Sequence, residues 1–145
     1  MRLSAESHRK FEKFFREYFR DESLKLPEIH VYCRRGSWIF TKILMVDGIT
    51  FGRHIFIKPE HLRTDSEGKL VVSKELLAHE LAHTLQYRRH GVFGFLSSYV
   101  GSFFGALRRK EKWNLKARVE AYLEIPHEIE ARDCASAFLR FDRRD

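Results

Sequence analysis

Ser73-Lys74-Glu75-Leu76-Leu77-Ala78-His79-Glu80-Leu81-Ala82-His83-Thr84-Leu85-Gln86-Tyr87-Arg88-Arg89-His90-Gly91 reads as one helix, and the rest of the chain has to be built to fit it. Ser73 suits the N-cap, Glu75 the positive end of the helix dipole, and Gly91 the C-terminal stop. His79 and His83 stand one turn apart on the same face. Two imidazoles so placed can hold one zinc ion, and Glu80 can reach a water on that ion. Leu76, Leu77, Ala78, Leu81, Ala82 and Leu85 leave almost no polar face in the first two turns, which predicts a buried helix. A glutamate between two histidines is costly there unless something compensates it, and a metal ion does.

A chain of 145 residues is long enough for one domain, 1–145, with its own core. Its hydrophobic and aromatic content, with thirteen phenylalanines, excludes a disordered chain. The net charge of +7 favours acidic partners, yet the lysines and arginines are scattered among acids, so solubility accounts for the charge and no specific nucleic acid is expected. Cys33 and Cys134 form no Cys-x-x-Cys pair and read as free buried thiols. Met1–His8 carries no apolar signal core and no run of 18 apolar residues occurs. A cytoplasmic location is therefore expected, with export by a specialised secretion system left open.

Outward from the histidine helix the period changes several times. Phe11, Phe14, Phe15, Tyr18 and Phe19 give residues 5–22 a helical, core-facing stripe within an N-terminal helix and linker, 1–27. Residues 28–59 read as sheet. Ile29, Val31 and Cys33 alternate, Trp38–Val46 is rich in β-branched and aromatic residues, Asp47-Gly48 is a hairpin turn signal, and His54–Lys58 is a further strand. Asp65–Lys69 reads as a polar loop. Beyond the 73–91 helix, 92–112 is apolar at helical spacing, interrupted by Gly94, Gly101 and Gly105 and closed by Arg108-Arg109-Lys110-Glu111-Lys112. It reads as a packed helix or hairpin, with a flap over the cleft or a membrane-surface or partner contact as the functional alternatives. Lys116–Glu124 suits a short helix, and Pro126 opens a last one to about Phe141. The fold class is therefore α+β: a small twisted, mostly antiparallel sheet packed on the histidine helix and a C-terminal helix.

A catalytic zinc usually takes three protein ligands and a water. The candidates for the third are His90, Glu120, Glu124, His127, Glu128, Glu130 and Asp133. His90 lies nearly two turns past His83, too far to share the ion. The metzincin continuation His-x-x-Gly-x-x-His is absent. Glu128 is the first choice. It shares a face with Ala131, Ala135 and Phe138, and those alanines let its helix approach Ala78 and Ala82. Glu130, on the face of Cys134, Ala137 and Phe141, is the second.

His79-Glu80-Leu81-Ala82-His83-Thr84-Leu85-Gln86 together with Ile125-Pro126-His127-Glu128-Ile129-Glu130-Ala131 resembles the compact bacterial gluzincin zinc peptidases, small thermolysin-like enzymes, some of them associated with phage-tail-like secretion systems. The resemblance spans residues 49–138. It implies a minimal zincin fold, His79, His83 and Glu128 as ligands of one Zn2+, and Glu80 as general base. One position departs: many relatives carry Asp four residues after the ligand glutamate, and here that place holds Arg132.

The expected activity is endopeptidase hydrolysis of a peptide or protein substrate by metal-activated water, with Tyr87, His90, Tyr122 or His127 as donor to the developing oxyanion. His54–Lys58 is the expected edge for an extended substrate. Two rivals compete with it: a zincin-like binding domain without catalysis, and a basic nucleic-acid or membrane-surface binder using Arg108–Lys112.

Overall fold

A computed structural model describes residues 2–33, 47–64, 70–111 and 113–144. Helix α1 spans Ala5–Phe19, capped by the Ser4 hydroxyl on the Ser7 amide and closed by Arg20 in the left-handed region at φ 54°. Strands β1 (His30–Tyr32), β2 (Gly48–Phe51) and β3 (His54–Ile57) form one sheet in the order β1-β3-β2. The sheet is mixed: β2 runs antiparallel to β3, with Thr50 opposite Ile55, but β1 runs parallel to β3, with Val31 opposite Ile55.

Two sequence expectations change here. Asp47-Gly48 is not a hairpin turn, because Gly48 already pairs with Ile57 as the first residue of β2. The turn is Gly52-Arg53, with Gly52 at φ 59° in the first central position, where a two-residue hairpin of type II′ favours glycine. And β3 has no free edge for a substrate, since β1 and β2 flank it. Among the described residues β2 is paired on one side only, and it is β2 that lies against the histidine helix. The strand expected at Trp38–Val46 lies outside the described residues, as does the loop Asp65–Lys69. Around that loop, β4 (Leu62–Thr64) and β5 (Leu70–Val72) form an antiparallel ribbon that the sequence reading did not contain.

Helix α2 (Lys74–Arg109) is two helices joined at Gly91, whose φ of 69° and ψ of 167° suit glycine and few other residues. The 92–112 segment is therefore mostly a second helical arm. Helix α3 (Leu115–Leu123) starts at Asn114, whose side chain accepts from the Ala117 amide at 2.9 Å. Helix α4 (Pro126–Asp142) has Pro126 in its first turn.

The main core gathers α1, the sheet, the first arm of α2 and α4. Phe11 stacks on Phe138 at 4.3 Å between ring centroids, and Phe14 meets Phe138 edge-on at 5.2 Å. Aromatic pairs in such offset and edge geometries add to the burial of their area. A second, smaller cluster joins the end of α2 to α3 through Ala106, Leu107, Ala117 and Ala121. Both thiols are free, Cys134 buried but Cys33 only half-buried. No helix among the described residues is long and apolar enough to cross a membrane.

Candidate metal centre

Three elements converge. The first arm of α2 supplies His79, Glu80 and His83; α4 supplies Glu128; β2 supplies Gly48 and Thr50. Ala78 and Ala82 on one helix, and Ala131 and Ala135 on the other, are all buried, so small side chains line the approach of α4 to α2. The close approach carries Glu128, only 2% exposed, to the two imidazoles.

His79 Nε2 and His83 Nε2 stand 3.1 Å apart, His79 Nε2 lies 3.2 Å from Glu128 Oε2, and His83 Nε2 lies 3.3 Å from Glu128 Oε1. Zinc bonds of about 2.0–2.2 Å at tetrahedral angles separate neighbouring donor atoms by about 3.3–3.6 Å. The three side chains, two nitrogen donors and one oxygen donor, thus fit that ion in type and spacing. Glu130, the second choice, is turned away: it accepts from Gln86 at 2.8 Å and from Arg89 at 3.1 Å. Glu120 and Glu124 pair with Lys110, and Glu124 also with Arg109.

Several supporting residues were not found by sequence reasoning. Gln86 is one: its amide nitrogen donates to the His127 carbonyl at 2.9 Å and to Glu130, so its oxygen must be the acceptor facing His83 Nδ1 at 2.8 Å. That contact places the ring hydrogen on Nδ1 and leaves Nε2 of a neutral His83 free for a ligand. The signal was present, since Gln86 lies three residues past His83, within helical reach. Tyr99 is another. Its hydroxyl donates to Glu128 Oε1 at 2.6 Å while that of Tyr122 donates to Oε2 at 2.7 Å. No sequence signal pointed to Tyr99, which reaches the site only because α2 bends at Gly91.

Glu80 is buried, and Thr50 Oγ1 donates to its Oε2 at 2.7 Å. Gly48 makes room for it: a Cβ there would lie 2.8 Å from the Glu80 carboxyl carbon. Burial pushes the Glu80 carboxyl above the usual carboxylate range, against the pull of both imidazoles and Thr50. Burial acts on Glu128 in the same sense, but hydrogen bonds from His79, His83 and Tyr99 outweigh it and hold this carboxyl well below that range. For His83 burial opposes the charge, and Glu128, Glu80 and Gln86 overcome it, pushing the imidazole up to about 9. Two neighbouring carboxyls are thus driven in opposite directions.

A cleft of about 500 Å³ opens over His79 and Glu80, walled by Asp47, Gly48 and His61 on one side and by Tyr122, Arg132, Ala135 and Ser136 on the other. Of the four residues considered as oxyanion donors, Tyr122 alone lines it. Tyr87 packs on Phe95, His127 faces Ser98 Oγ at 3.1 Å, and His90 packs on the His127 ring. Asp47, Glu60 and His61 form a second group of close ligand atoms, but the Lys58 ammonium holds Asp47 at 2.9 Å.

A family profile described as the eCIS core domain matches residues 30–91, less than half of the chain. The match runs from β1 through both histidines to the Gly91 bend and leaves Glu128, Tyr99 and Tyr122 outside it. No curated protein and no solved structure matches the chain.

Proposed function

We propose that the protein is a zinc-dependent peptidase whose ion is held by His79, His83 and Glu128. The observation that carries this reading is the donor triangle of 3.1, 3.2 and 3.3 Å lying beside an open cleft, with Glu80 as its neighbour. Zinc held by these three side chains would supply an acidified water and polarise a substrate carbonyl. Glu80, with its raised affinity for a proton, accepts the water's proton and passes it to the leaving amine. Thr50 fixes the carboxylate that does so, and the Tyr122 hydroxyl, on the cleft wall, steadies the ligand carboxylate of Glu128. An extended substrate pairs along β2, which among the described residues is paired on one side only. Within this reading the eCIS core match associates the chain with extracellular contractile injection systems.

Elemental analysis of wild type, Glu128→Ala and Glu130→Ala tests the ligand set. One zinc per chain is expected in wild type and Glu130→Ala, and full occupancy in Glu128→Ala rejects the assignment. Glu80→Gln is expected to keep zinc and lose hydrolysis of a peptide library; turnover equal to wild type removes Glu80 as base.

One observation favours a second reading, a binding domain built on the same centre. Val92, Phe93, Val100, Phe104, Leu115 and Val119 are exposed on the second arm of α2 and on α3. That reading predicts partner capture insensitive to Glu80→Gln, where the peptidase reading predicts chelator-sensitive cleavage.

A further inference from the structure

Among the described residues, Arg132 is the one permanent cation of the cleft wall. Arg132 lies one turn beyond Glu128 on α4 and faces the same space as His79, Glu80 and Tyr122. Its guanidinium donates at 2.5 Å to the carbonyl of Leu123. That carbonyl is one of the last in α3, a position with no acceptor role inside its own helix, so the arginine closes the helix end as a basic side chain commonly does. One donor is used for anchoring. An arginine has five, in a rigid fork that matches a carboxylate.

The acids around it leave that fork free. Asp47, across the cleft, is taken by Lys58 at 2.9 Å and approached by His61 at 3.4 Å. Glu75 lines the exposed rim, at the start of α2. Among the described residues no carboxylate forms an ion pair with Arg132. Beside it on the wall stand Ala135 and Ser136, small enough to leave room for a substrate group.

We propose that Arg132 is a specificity-determining residue that selects substrates bearing a carboxylate next to the scissile bond, on the α4 side of the cleft. This deepens the peptidase reading and rests on it. An anchored guanidinium needs little reordering to receive a carboxylate, and such charge-assisted pairs are stronger than neutral hydrogen bonds. The net charge of +7 adds a long-range pull on acidic chains. Two sources offer the same chemistry: an Asp or Glu side chain, and the free C-terminus of a short peptide.

The test uses the full chain carrying Glu80→Gln, so that peptides bind without being cut, and three labelled hexapeptides of one sequence. The first has an internal Glu and an amidated C-terminus, the second an internal Gln and a free C-terminal carboxylate, the third Gln and an amide. Fluorescence anisotropy at low salt reads the affinities. We expect one of the first two to bind about five- to tenfold tighter than the third, the preferred one naming the source. Adding Arg132→Met should abolish the difference and Arg132→Lys restore part of it, as should a rise in salt weaken it. Equal binding of all three peptides, or a preference unchanged by Arg132→Met, overturns the proposal. Arg132 is held by Leu123 rather than by the ion, so the comparison is repeated on metal-stripped protein. A chain that takes up no zinc yet keeps the Arg132-dependent preference sinks the peptidase reading and leaves the carboxylate site standing.

Discussion

The two arms of α2 obey different rules, though one bend at Gly91 separates them. Before the bend, Leu77, Ala78 and every residue from Glu80 to Tyr87 are buried, with His79 half-buried at the cleft. After it, Phe95, Ala106 and Leu107 are the buried residues, and Phe93 is 89% exposed. The first arm buries even its polar groups, and each functional one has a partner. The second arm is fixed to the body by Phe95, packed on Tyr87 and His127, and by two hydroxyls, Tyr99 on Glu128 and Ser98 facing His127, and to α3 by a thin seam of small residues. Burial of a polar group demands such partners, because an unpaired one costs about 1–3 kcal/mol. The lesson is that the site is held rigid from one side and touched from the other by an element with much weaker packing.

The contrast is broken most severely from the body. Phe138→Ala opens a hole where Phe11 and Phe14 meet, and should cost about 3–5 kcal/mol in urea unfolding. Phe104→Ala, on the second arm and half exposed, should cost about 0.5 kcal/mol or less. Similar losses for the two would erase the distinction between the arms.

Next comes the polar support of the first arm. Gln86→Ala removes the acceptor that orients His83, and should weaken zinc binding about 10–100-fold in competition with a chromophoric chelator. Ser98→Ala removes a second-arm contact to His127 and should leave zinc affinity near that of wild type. Gly48→Ala forces a methyl against the Glu80 carboxyl carbon, which Thr50 and burial keep from moving aside. A loss of about 1–3 kcal/mol is expected, with zinc retained and any hydrolysis reduced. Undiminished turnover in that variant would show that Glu80 has room to shift.

How much of this was legible depended on distance along the chain. The first arm and α4 could be read because their information is local: a cap at Ser73, two histidines a turn apart, and alanines spaced along one face of α4. The sheet was readable as strands but not as a topology. Nothing in Val31 or Ile55 tells that β1 joins β3 in parallel, since pairing partners are chosen by the whole packing rather than by period. The Asp47-Gly48 signal misled because Gly48 serves Glu80, a residue more than thirty positions away; a glycine needed for close approach looks in sequence like one needed for a turn. Arg132 was visible as a departure, and its cleft-facing position came only with the fold. Tyr99 could not be read at all. Its stripe of apolar neighbours predicts a packed helix, and its role appears only when the Gly91 bend returns that helix over α4.

A smaller effect than that at Gly48 is the sharpest probe of how the arms communicate. Tyr99→Phe keeps the ring against Phe95 and deletes only the hydroxyl that reaches Glu128. Glu128 then retains Tyr122 and both imidazoles, so no buried charge is stranded and the cost should stay near 0.5–1.5 kcal/mol, about that of one hydrogen bond. The effect should be confined in space. Amides of the second arm should exchange faster with deuterium, because that arm loses one of the two hydroxyl ties that hold it. Those of Leu77–Tyr87 should be unchanged, because their protection comes from the main core. Tyr122→Phe deletes the equivalent bond to the other oxygen from α3, and should leave exchange in the second arm as it is. If Tyr99→Phe leaves the second arm as protected as before, Phe95, Ser98 and the seam to α3 suffice to hold it, and the hydroxyl serves the carboxylate without tying the arms together.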